Sequence, residues 1–168
     1  QLTPTDRINY RLFRQQYELR VAGHKYRWYL VPLNQRGGIQ EAGDLADSLS
    51  FERVKDYEDW LARMRAFPTS MEQTIALMRR GAAERIIHSR IVMERLPHQI
   101  DKQITDDPRS HLFFKPFRSY PGTIPAADRE RLSAEAERLV RDVIVPEYRR
   151  FKPFFESEYL PACHPGVG

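Results

Sequence analysis

The chain of 168 residues has a single cysteine, Cys163, which excludes an intrachain disulfide framework. It lacks any uncharged apolar run near the roughly 18 residues that a membrane-spanning helix needs. Its first residues, QLTPTDRINY, have no basic stretch followed by an apolar one, so no signal peptide is expected within them. Charge of one sign is also scarce. The 27 basic and 23 acidic residues leave a net charge of only +4, and the two signs interleave, as in RDVIVPEYRR and SFERVKDYED. Interleaving marks solvated helix faces laced with ion pairs, whereas nucleic-acid binding requires basic side chains gathered on one surface. Nucleic acid is therefore not an expected partner.

The signatures of self-contained catalysis are missing as well. None of His24, His88, His98, His111 and His164 precedes a glutamate, and no two are three or four residues apart, so no helix face carries paired zinc ligands. Cys163 and His164 are adjacent near a terminus rich in proline and glycine; a metal site there needs two more ligands, and the plainer reading is a frayed tail. Glu58 with Asp59, and Glu156 with Glu158, do not share a helix face, as a general acid and base would require. No serine sits in a Gly-x-Ser-x-Gly context, and Gly37-Gly38 lacks the spacing of a phosphate loop.

What is present is helical periodicity. The first segment, from about Asp6 to Ala22, can be capped by Thr3 or Thr5 and closed by Gly23. Tyr10, Phe13, Tyr17 and Val21 form one stripe, and Ile8, Leu12 and Leu19 lie near a second, which predicts a helix sandwiched between neighbours. KYRWYLVPL could pass as a short strand or an extended buried segment, although Pro32 argues against a central strand. NQRGGIQEAGD reads as a long ordered loop. A second helix is expected from Ser50 to about Phe67 on Val54, Tyr57, Leu61 and Met64. A third follows capping boxes at Thr69 and Ser70 and stops at Gly81, packing antiparallel to the second. A fourth, over Ser89 to Thr105, should kink at Pro97. HLFFKPFRSYPGTIP is expected to plug a hydrophobic gap. The last helix starts near Pro125 and runs, bent at Pro146 and Pro153, along Leu132, Ala136, Leu139, Val143, Tyr148, Phe151, Phe155 and Tyr159. The predicted fold is all-α: a single antiparallel bundle of about five helices over residues 1–168, with long ordered loops and a proline-kinked C-terminal helix.

The candidate binding residues lie in VPLNQRGGIQ. Asn34, Gln35 and Arg36 place amides and a guanidinium beside a flexible glycine pair, and loops on rigid scaffolds often bind ligands. The competing reading is that these groups satisfy backbone atoms of a buried loop. No catalytic or metal-ligating residue is assigned.

Five segments in order, RINYRLFRQQYE, LVPLNQRGG, DYEDWLARMRAFP, MERLPHQID and the IPAADRERL, VIVPEYRRF and EYLP stretch, resemble the bacterial domain-of-unknown-function family 885. The resemblance covers almost the whole chain. It implies a relationship to longer, mostly helical proteins similar to zinc metallopeptidases, many of them exported or lipid-anchored in the bacterial envelope. Their metal motif, a His-Glu helix, would lie downstream of these residues. This implies an N-terminal fragment with no cofactor of its own and zinc in the parent protein. Its partners would be the remainder of the parent chain and, there, a peptide-like substrate. Pro153 and the ACHPG exit depart from the family pattern. An autonomous helical interaction module, able to self-associate, is the alternative.

Overall fold

The computed structural model of the chain describes residues 3–166. The fold is all-α, as expected, and no strand occurs among the described residues. Helix α1 (Pro4–Gly23) starts at Thr3, whose Oγ1 accepts from the Asp6 N–H at 3.1 Å while its own N–H donates to Asp6 Oδ2 at 3.2 Å. This reciprocal box satisfies two donors at once, and Pro4 occupies the first helical position, where a missing N–H costs nothing. The sandwiching expected of α1 is not found. None of its residues is buried.

Residues 24–49 contain 3-10 turns, His24–Tyr26, Trp28–Leu30 and Ile39–Ser48, so the strand-like KYRWYLVPL is two helical turns followed by irregular backbone. Its branched and aromatic side chains suit a strand, but among the described residues there is no partner strand to take its backbone hydrogen bonds. Arg27, at φ 58°, makes the corner between the first two turns.

Helices α2 (Val54–Arg65) and α3 (Phe67–Ala83) are separated by Ala66 alone. The expected break at Pro68 and the capping boxes at Thr69 and Ser70 are not used. Pro68 sits in the first turn of α3, where a missing N–H leaves no helical bond unmade. Gly81 does not stop α3 either. The left-handed residue past the helix end is Arg85, at φ 59°; its N–H bonds the Ala82 carbonyl at 3.2 Å and the Ile86 N–H bonds the Gly81 carbonyl at 2.8 Å, the paired closure of a Schellman motif. The region around Pro97 divides into two short helices, α4 (Arg90–Met93) and α5 (Leu96–Asp101), where the sequence predicts one kinked helix. Pro97 falls in the first turn of α5, so the proline begins a helix instead of bending one.

The last segment stays helical from α6 (Ala126–Leu139) through α7 (Val145–Phe154) to α8 (Leu160–Ala162). Wider π turns at Val140–Ile144 and Phe155–Tyr159 join the three. Pro146 and Pro161 fall in the turns directly after them, where a loosened ladder accommodates a residue without a donor. The extra residue also rotates the buried stripe: Val140 and Ile144 are buried, while Val143, predicted to be inside, is half-buried. Pro125 precedes α6 as its cap residue and is not its first helical residue.

The core forms where α2, α3 and the α6–α7 rod meet, and the aromatic loop closes it. Phe113, Phe114 and Phe117 are buried as expected. Trp60 stacks on Phe113 at 5.5 Å and donates its indole N–H to the Phe113 carbonyl at 2.9 Å, so a large apolar ring enters the core with its one polar group satisfied. The tail is not frayed. The Arg90 N–H bonds the His164 carbonyl at 2.7 Å, the His164 N–H bonds the His88 carbonyl at 3.2 Å, and Cys163 is buried.

Candidate functional site

The segment Leu33–Gln40 carries the predicted binding residues, and its geometry shows how they are used. Asn34 and Gly37 exchange backbone hydrogen bonds at 2.8 and 3.3 Å, closing a tight turn. The Asn34 side-chain carbonyl accepts from the Arg36 N–H at 2.8 Å, an Asx-type bond that holds the turn from within. Gly38 follows at φ 142°, backbone that only glycine adopts readily, and a side chain there would run into Leu33.

Three side chains, two of them distant in sequence, then fasten this turn to the body. Gln40, only 1% exposed, donates its amide to the Asn34 carbonyl at 2.8 Å and lies 3.4 Å from the Gln99 side-chain oxygen. Gln99, from α5, donates to the Gln35 carbonyl at 3.1 Å. Tyr148, from α7, donates its hydroxyl to the Ile39 carbonyl at 2.7 Å, and burial pushes that hydroxyl far above the usual tyrosine range. The turn is thus positioned by groups from α5 and α7.

The three predicted residues therefore part company. Asn34 is exposed, but its side-chain oxygen is engaged within the turn. Gln35 is half-buried and contributes its backbone carbonyl to Gln99. The exposed Arg36 guanidinium has no side-chain partner among the described residues, which leaves it the one charged group of the three available to an incoming anion or carbonyl. Gln40 lies at the end of the same segment but was not singled out, and Gln99 and Tyr148 were not legible as part of this site, because nothing local in the sequence links them to it. One acceptor is left over: the Gln40 Oε1 is buried without a partner. Replacing Gln40 by Ala should cost about 1–3 kcal/mol, the range for stranding buried polar partners. Chemical unfolding measures that loss, and faster amide exchange at Asn34 and Gly37 shows where it acts.

The remaining polar groups divide between structure and surface. His111 is buried; its Nδ1 accepts from the Phe113 N–H at 3.2 Å, so the Nε2, 3.1 Å from the Gln103 carbonyl, carries the proton. Burial lowers its pKa to about 4, and the ring is a fixed neutral bracket for the aromatic loop. Burial likewise pushes the Cys163 thiol up to about 11, which keeps it in the unreactive protonated form. Between α2 and α6 runs a groove of about 730 Å³ lined by Glu58, Arg65, Arg131, Glu135 and Arg138 over Leu61 and Ala134. Each of its charges is in an ion pair: Arg131 meets Glu58 at 2.8 Å, and Glu135 takes both Arg65 at 3.0 Å and Arg138 at 2.8 Å. Among the described residues no cluster of three or more His, Cys, Asp or Glu side chains could hold a metal ion, and no helix is long and apolar enough to cross a membrane.

Fold and turn together define an all-α protein whose polar loop is locked onto its helices by long-range hydrogen bonds. The family model described as bacterial protein of unknown function (DUF885) matches residues 1–167, and the chain belongs to that family. No curated protein and no solved structure matches it.

Proposed function

We propose that the chain is the helical, non-catalytic wall of a substrate cleft in a larger metallopeptidase-like protein of the bacterial envelope. In this reading zinc and the reacting groups belong to other polypeptide of the same protein. The observation that carries the reading is the use made of the candidate polar residues. Asn34, Gln40, Gln99 and Tyr148 all hold the 34–40 turn in place, and Arg36 is the charged side chain of the turn left to contact something outside it. A rigid turn presenting one guanidinium suits a positioning element, such as one that meets a peptide carboxylate or carbonyl, and does not suit a reaction centre.

The test is direct. The purified chain, dialysed against zinc and assayed by elemental analysis, should hold well under one zinc per molecule and should cleave no member of a mixed peptide library. Stoichiometric zinc with turnover of peptides would refute the proposal. Fractionation of the native cell, with the protein found in the envelope, checks the localisation.

A second reading, an autonomous interaction module, draws on the exposed apolar surface of α1. Sedimentation of the purified chain separates the two, since a module built to self-associate should show a concentration-dependent dimer.

A further inference from the structure

Helix α1 is 20 residues long, about 30 Å, and every one of its large apolar side chains is in water. Phe13 is 59% exposed, Leu12 60% and Leu19 65%. At 3.6 residues per turn, Tyr10, Phe13, Tyr17 and Val21 fall on one stripe, with the Phe13 and Tyr17 rings 4.5 Å apart. Ile8, Leu12 and Leu19 fall on a second stripe about 160° around the helix from the first. Two polar edges separate them. One carries Arg7, Arg11, Arg14 and Glu18, and the other carries Asn9, Gln16 and Arg20.

This geometry discriminates among occupants. A membrane surface takes up one apolar face and leaves the opposite face in water, so it would cover half of α1 and strand the rest. A symmetric pairing of α1 with a second copy of itself has the same defect, because one helix contact buries one stripe. Two opposed stripes are covered together only when the partner packs on both sides of α1, and a helix on each side does this with ordinary ridge-into-groove contacts. The charges add a condition. On the first edge the only acid, Glu18, is already paired with Arg14 at 2.7 Å, and Arg7 and Arg11 have no side-chain partner among the described residues. Both flanking helices border that edge at the usual 8–10 Å spacing, so carboxylates on them would reach it.

We infer that α1 is the central member of a three-helix layer, clamped between two amphipathic helices of a partner segment that carries acidic residues beside Arg7 and Arg11. This interaction surface stands independently of the peptidase reading. α1 is then the element through which the rest of the chain is anchored to its partner, with the Thr3–Asp6 cap holding the helix ready for docking.

Photo-crosslinking in the cell that encodes the protein tests this, with p-benzoylphenylalanine placed at Leu12 in one variant and at Tyr17 in another, and the adducts mapped by mass spectrometry. Expected are two different peptides, one from each position, each from a helical segment with Asp or Glu within a turn of the linked residue. The double variant Arg7→Glu, Arg11→Glu should lower both yields several-fold without unfolding α1, which circular dichroism checks. Adducts to α1 of a second copy, adducts to lipid, an adduct at one position only, or none at either would overturn the inference. Yields unchanged by the charge reversal would overturn the acidic character assigned to the partner.

Discussion

Gly81→Ala is expected to destabilise the protein by about 2–3 kcal/mol, the cost of forcing atoms into filled space. Helix propensity alone gives the opposite sign, since Ala in a helix is favoured over Gly by about 1 kcal/mol. The tertiary structure decides. A Cβ at position 81 would lie 2.5 Å from the Leu30 carbonyl oxygen and 2.8 Å from that of Ile86, and both are backbone atoms that cannot swing aside. The turn at Trp28–Leu30 rests directly on the α3 backbone here, so the substitution must lift one from the other. Gly23 is the control. It ends α1 at φ −70° with nothing within 4 Å of a Cβ, and Gly23→Ala should be neutral or stabilising by up to about 1 kcal/mol. Denaturant midpoints for the two variants at constant m-value give the comparison.

Acid is expected to weaken the fold through His111, by about 3 kcal/mol between pH 6.5 and 4. The unfolded histidine titrates near its ordinary value of 6.5, whereas in the folded protein burial holds it at about 4. Above pH 6.5 the ring is neutral in both states and contributes no pH dependence. As the pH falls from 6.5 to 4, the unfolded chain binds a proton that the folded chain refuses, so stability declines across that window and levels off below it. Protonation also removes the Nδ1 acceptor used by the Phe113 N–H, which ties the loss to the aromatic loop. His111→Gln cannot titrate. Its stability should be lower than that of the parent at pH 7, but the difference should shrink or reverse at pH 4. Urea unfolding of both proteins at a series of pH values separates this histidine from the carboxylates, whose contribution is common to both. Equal slopes in the two proteins would show that His111 does not carry the effect.

The predicted site illustrates how far local reading reaches. The Asn34 Asx bond and the need for glycine at position 38 involve neighbours two to five residues away, so the turn could be read from LNQRGG. The anchoring could not. The Gln40 amide meets Gln99 across 59 residues and the Tyr148 hydroxyl meets Ile39 across 109, distances over which no periodicity constrains a side chain. For α1 the position is reversed. The sequence announced two apolar stripes, and the fold supplies a neighbour for neither.

The sequence by itself determined the all-α character of the protein, the stripes of α2 and the α6–α7 rod, and a start of α1 at one of two threonines, Thr3 or Thr5. Each depends on side chains three or four residues apart, which local chemistry couples whatever surrounds them. Only the tertiary structure decided that Pro68 and Pro97 begin helices, that π turns rotate the stripe past Val143, and that Gly81 is small to let Leu30 approach. Each of these is set by what packs against the backbone from elsewhere in the chain, and burial outweighs the few tenths to about 1 kcal/mol by which local preferences differ.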